Sequence, residues 1–187
     1  MALPFTRAWR SERHRVRKAA QIAAALRREP ADPDVVWLSD AAANGDEDHA
    51  RWELRYARIA VGLLVTQRDA LDDRTVAEVS AAVGEAISGD ARIAEDRREL
   101  AERQLNERLS AYREAFHIRG GTVDSAGVMG RCLLAFASDG ARTAGAPLEY
   151  AIELLERYAD ESSESLRAAY GIAQLPEDVP PSVLRAP

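Results

Sequence analysis

Cysteine and lysine are almost missing from this chain of 187 residues, each occurring once, as Cys132 and Lys18. A single thiol can make no internal disulfide and no thiolate cluster for zinc or iron–sulfur ligation, and it fits a reducing, cytoplasmic setting. The lone lysine lies between Arg17 and Ala19. The Gly-Lys that ends a Walker-type phosphate loop is therefore absent, and nucleotide hydrolysis by that route is excluded. Long apolar runs are missing as well: the longest, Ile59 to Val65, has seven residues, against about 20 for a membrane-spanning helix. The chain is expected not to cross a bilayer. Histidine is scarce, so any imidazole chemistry must use His14, His49 or His117. No G-x-S-x-G turn nominates a serine nucleophile, and no repeat of about 20 to 50 residues points to a solenoid.

Alanine, in contrast, occurs 36 times while Val, Ile and Thr together occur 24 times, a balance that favours helix over pleated sheet. Charge is unevenly spread. Residues 1–29 carry eight basic and two acidic groups, a net of +6, which leaves −12 for the remainder of a chain whose net charge is −6. The result is an acidic body with a basic arm. The arginine-rich start has no apolar stretch of the kind a secretory signal needs and is read as part of the mature protein.

Caps and apolar spacing divide the chain into seven helices. Thr6 caps a first helix that runs to about Glu29, before Pro30, with Trp9, Val16, Ala19, Ala20, Ala23 and Leu26 as its apolar stripe. Asp32 caps a short second helix, with Pro33 at its first position, Val36, Trp37 and Ala41 turned inward, and Gly45 as a left-handed stop. Asp46, Glu47 and Asp48 open a third, which reaches about Ala70 and whose Ile59–Val65 run should be the buried centre of the fold. Asp72 or Asp73 caps a fourth, ended by Gly89. Asp90 opens a long, charged fifth, extending to about Arg119 and spanning roughly 40 Å. A sixth is expected from about Asp124 to Asp139. A seventh runs from Pro147 to Gly171, and a proline-rich tail, 172–187, is expected to be extended or disordered.

Few constellations carry chemistry. Asp46-x-x-His49 and Glu114-x-x-His117 share the i, i+3 spacing of carboxylate–histidine pairs in metal-binding bundles, which makes Asp46, His49, Glu114 and His117 the candidate metal ligands. Asp46 lies at a cap and Glu114 near a helix end, positions that suit solvated surface better than a bundle-core site. Asp69, Asp72 and Asp73 have the acidity of a magnesium–diphosphate motif, but helix capping accounts for two of them. Gly127 and Gly130 allow close backbone approach, to a neighbouring helix or to a flat cofactor, with helix packing the simpler reading. Cys132 has apolar neighbours that would bury it and raise its pKa. Val79–Gly84 has the small residues of a helix-turn-helix turn, but the recognition helix that should follow would have to cross Gly89 and Asp90.

The expectation is therefore an all-α fold, an irregular bundle of about seven helices forming a single domain over 1–171, with a basic N-terminal helix over 1–29. No catalytic residue and no cofactor is assigned. The favoured role is non-catalytic: interaction with a protein partner, or self-association, through Arg7, Arg10, Arg13, Arg17 and Lys18. Nucleic-acid association through the same helix, with Trp9 as a stacking residue, is the alternative, and a metal- or cofactor-binding bundle is third.

Overall fold

A computed structural model describes residues 6–70, 72–116, 125–138 and 146–171. Within them lie seven α-helices and one 3₁₀ turn, with no strand: α1 (Arg7–Leu26), α2 (Asp32–Ala41), α3 (Glu47–Asp69), α4 (Asp73–Ser88), the turn Glu95–Arg97, α5 (Arg98–Phe116), α6 (Ser125–Phe136) and α7 (Ala146–Tyr170). The fold is an all-α bundle. The proline-rich tail and His117 lie outside the described residues.

Three starts follow from local capping chemistry. Thr6 Oγ1 accepts from the Trp9 N–H at 3.2 Å, Asp46 Oδ1 from His49 N–H at 2.9 Å, and Asp72 Oδ1 from Thr75 N–H at 2.7 Å, each satisfying a donor that the first helical turn leaves free. Asp32 does not cap α2. It is already helical, Ala31 occupies the cap without a side-chain bond, and the Asp32 carboxylate pairs with Arg51 at 3.1 Å. The chain leaves α2 through Asn44 and Gly45, both at positive φ, and Gly45 N–H closes the turn on the Ser39 carbonyl at 2.9 Å.

α3 is the centre of the bundle and packs against each of the other six α-helices. Every residue from Tyr56 to Thr66 is buried, so the apolar run is enclosed on all sides, as its lack of a polar face requires. Two apolar clusters meet on it. One gathers α2, α6 and the first part of α7 around Leu54, Ala57, Val61 and Leu64. The other gathers α1, α4 and the end of α7 around Tyr56, Ile59 and Leu63. α5 contributes to both.

Three local expectations are corrected. α1 buries Ala19, Ile22, Ala23 and Leu26, whereas Val16 is 56% exposed and Ala20 is exposed, because α4 and α7 cover only one side of the helix. Of residues 7–18 whose side chains are described, none is buried. α2 buries Asp34, Val35, Leu38 and Ser39, leaving Val36 exposed and Trp37 half-buried. The fifth helix begins at Arg98 rather than Asp90, because Asp90 is a buried carboxylate held by Arg27 and Arg92 and anchors a turn; α5 as described is about 28 Å long. α4 runs unbroken through Gly84, which removes the turn that a helix-turn-helix would need there.

Two glycines separate packing from helix propensity. A Cβ on Gly84 would meet nothing within 4 Å, whereas one on Gly62 would collide with Leu26 Cδ2 and come within 3.0 Å of Leu26 Cδ1 and Cγ. Leu26 is itself fully buried and has nowhere to go. Gly84→Ala is expected to stabilise the protein by about 0.5–1 kcal/mol. Gly62→Ala should destabilise it by about 1–2 kcal/mol, overpacking outweighing the same helical gain. Urea midpoints of the two variants, moving in opposite directions at equal slope, check both.

Candidate interaction surface

The Asp46–His49 pair resolves into helix-end contacts. Asp46 is spent on the α3 cap, and the His49 ring reaches across to α6, its Nε2 lying 3.3 Å from the Phe136 carbonyl oxygen. With the proton on Nε2, this donates to one of the carbonyls that the end of α6 leaves free. Glu114 is exposed on α5, and its partner His117 lies outside the described residues. Among the described residues, no group of three or more His, Cys, Asp or Glu side chains is disposed to hold a metal ion. Gly130 serves helix packing: a Cβ there would stand 2.9 Å from Leu148 Cδ1 and 3.1 Å from Ile152 Cγ1 on α7. Cys132 is half-buried, and burial pushes its thiol above the ordinary value. Asp69 is taken up by Ser163 and Arg68.

Several charged side chains that sequence reasoning left unassigned form cross-helix ties. Glu53, 3% exposed, accepts from Arg108 Nη2 at 2.7 Å and Nε at 3.1 Å, joining α3 to α5. The Arg108 guanidinium lies 4.4 Å from the centre of the Phe136 ring. Burial works against its charge, but the Glu53 carboxylate outweighs burial and raises its pKa. Asp34, also buried, accepts from the Tyr150 hydroxyl at 2.8 Å and from Arg157 at 2.7 Å, joining α2 to α7. Arg58 pairs with Glu161 and lies over the Tyr158 ring at 4.6 Å. Asp90 accepts from Arg27 at 2.8 Å and from Arg92, and Arg92 and Arg55 both reach Glu29. The available signal was register: Glu53 shares the face of Ala50, Leu54 and Ala57, and Arg108 shares that of Leu105 and Tyr112. A charged residue on an apolar face needs a buried partner.

A cleft of about 540 Å³ opens between the start of α3 and α5, with Trp52, Tyr56 and Gln104 on its walls. Several of its polar groups are already spent on protein partners. Tyr56 donates to Gln104 Oε1 at 3.1 Å, Glu53 is held by Arg108, and Arg92 by Asp90 and Glu29.

The outer face of α1 is arranged differently. Arg15 and Glu12 turn toward α4, where Arg15 meets Glu78 at 3.3 Å and Arg74 meets Glu12 at 3.0 Å and Glu78 at 2.9 Å. Arg7, Arg10, Arg13 and Arg17 are all exposed, and among the described residues none of them is in an ion pair. Arg13 stacks on the Trp9 ring at 4.8 Å. Val16 and Trp9 flank this basic line and share one shallow depression with it. Lys18 departs from the group: it is half-buried and stands 5.2 Å from the centre of the Tyr170 ring on α7.

Comparison with known proteins adds no relative: no family model matches the chain, and no curated protein or solved structure does either.

Two outcomes follow for the buried charges. Arg108→Met, which strands Glu53, should cost about 3–5 kcal/mol, while Glu53→Leu combined with Arg108→Met should recover most of that loss; urea unfolding of the single and double variants checks it. The hydrogen bond from Arg92 is the largest cause holding the Asp90 carboxyl below its ordinary value. Because the folded state prefers the ionised form, its stabilisation is complete above about pH 4 and is lost as pH falls below that. Asp90→Asn should flatten the acid limb of the stability–pH curve, measured by denaturant midpoint.

Proposed function

We propose that this chain is a non-catalytic helical interaction protein, cytoplasmic in setting, that docks an acidic protein surface on the outer face of α1. The observation that carries the reading is the set of exposed guanidiniums at Arg7, Arg10, Arg13 and Arg17, none of them in an ion pair among the described residues. Other arginines, in contrast, are spent on carboxylates elsewhere in the chain. Guanidiniums along one helix face, outside any ion pair among the described residues, offer planar, multi-donor recognition of carboxylates, and the exposed Val16 beside them adds an apolar contact. No described helix is long and apolar enough to cross a membrane. An extended polyanion such as nucleic acid is a poorer fit, because the remainder of the chain carries −12 against the +6 of residues 1–29 and would repel it beyond the arm.

Fluorescence anisotropy with a labelled oligoglutamate peptide tests this, alongside a labelled single-stranded oligonucleotide of similar charge. The expected result is peptide binding that weakens as salt rises and falls about tenfold or more when Arg10, Arg13 and Arg17 are all replaced by alanine. Peptide binding indifferent to that replacement would overturn the reading. Oligonucleotide binding much tighter than peptide binding, and equally dependent on these arginines, would replace it with the nucleic-acid alternative.

A further inference from the structure

We infer that the acidic partner of the α1 face is the outer face of α7 on a second copy of this chain. The inference rests on the reading of α1 as a docking face and adds the identity of what it docks. Along α7, Glu149, Glu153, Glu156, Asp160 and Glu164 follow one another at intervals of four, three, four and four residues, which places them in a single line on the helix. All five are exposed, and among the described residues none is in an ion pair. The basic residues of α7 leave the middle of this line open: Arg157 is drawn off to Asp34, and Arg167 lies in the last turn.

The spacing on the two helices matches. Arg10, Arg13 and Arg17 are separated by three and four residues, and Glu153, Glu156 and Asp160 by the same three and four. Read in the opposite direction, Glu156, Glu153 and Glu149 also step by three and then four. Each triplet covers about 10 Å of helix. The acidic line can therefore face the basic line in register in either orientation, carboxylate against guanidinium at three consecutive positions.

The two lines do not meet within one molecule. α1 and α7 pack against each other, but through buried residues such as Leu26 and Leu166 and through Lys18 and Tyr170, which leaves the charged lines on the outer sides of both helices. A second molecule can satisfy both at once. In a two-fold arrangement, α1 of each copy lies on α7 of the other, so every charge contact is made twice. Val16, 56% exposed, and Trp9 at the margin of the basic line would be covered in the same contact. Surface charge pairs are individually weak and salt-screened, so the association should be reversible and strongest at low ionic strength.

The full chain at about 100 µM, followed by sedimentation velocity and by size exclusion with light scattering, should be dimeric in about 50 mM salt and monomeric in about 500 mM. Arg10→Glu/Arg13→Glu/Arg17→Glu and Glu153→Arg/Glu156→Arg/Asp160→Arg change only exposed side chains. Each should keep the parent circular dichroism and be monomeric alone at low salt. Mixed in equal amounts they should associate, since α1 of one then matches α7 of the other in both directions. A parent chain monomeric at low salt, a dimer indifferent to salt, or a mixture that stays monomeric would each overturn the inference. A monomeric parent that still binds oligoglutamate through Arg10, Arg13 and Arg17 removes the second copy as partner but keeps α1 as a docking face; loss of both removes both.

Discussion

The rest of the structure depends on the complete burial of α3. A helix that is apolar all round over Ile59–Val65 has no solvent side, so the other helices must be laid around it, each turning its own apolar face inward. That requirement explains the small residues on α3. Ala57 and Ala60 are fully buried, and Gly62 lies beneath Leu26 with no room for a methyl group, which lets α1 approach the α3 backbone. It also explains the treatment of the polar groups that α3 takes inside. The Thr66 hydroxyl donates back to the Gly62 carbonyl at 2.8 Å, while Glu53 and Arg58 are matched by Arg108 and Glu161. An unpaired charge at either place would carry the full cost of desolvation.

Around this centre the ion pairs divide into those the fold consumes and those it leaves. Asp34, Glu53 and Asp90 are buried carboxylates that each take an arginine from a distant part of the chain, tying α2 to α7, α3 to α5 and the end of α1 to the turn after α4. They restrict how the helices can slide, a role that greasy contacts, being non-directional, fill poorly. The outer faces of α1 and α7 do not take part in these ties. Their charges are of opposite sign, lie in single lines, and stand on helices whose inner faces are anchored in the core. A helical platform with unspent charge is suited to recognising a surface of the opposite sign.

The first half of α1 is the least supported part of this platform. Residues 7–18 have no described buried side chain and are held by the Thr6 cap, by the Glu12–Arg15–Glu78–Arg74 network and by the Trp9–Arg13 stack. Surface contacts of this kind contribute little individually, so a partner that neutralises the outer arginines would also relieve their mutual repulsion and reinforce the helix. A partner there would link its own binding to helical order through the same residues.

The helical class, the caps at Thr6, Asp46 and Asp72, the stop at Gly171 and the buried run in α3 were all legible in the sequence, because each depends on residues within about one turn of one another. The basic line on α1 was legible for the same reason. What the tertiary structure alone decided was which side of a weakly patterned helix faces inward and which charges are spent. Val16 and Val36 are as apolar as their buried neighbours, and only the positions of the surrounding helices leave them exposed. Arg108 meets Glu53 across 55 residues and Arg157 meets Asp34 across 123, separations at which local periodicity carries no information. Asp90 reads as a helix cap until Arg27, 63 positions away, is brought to it, and α5 starts later for that reason.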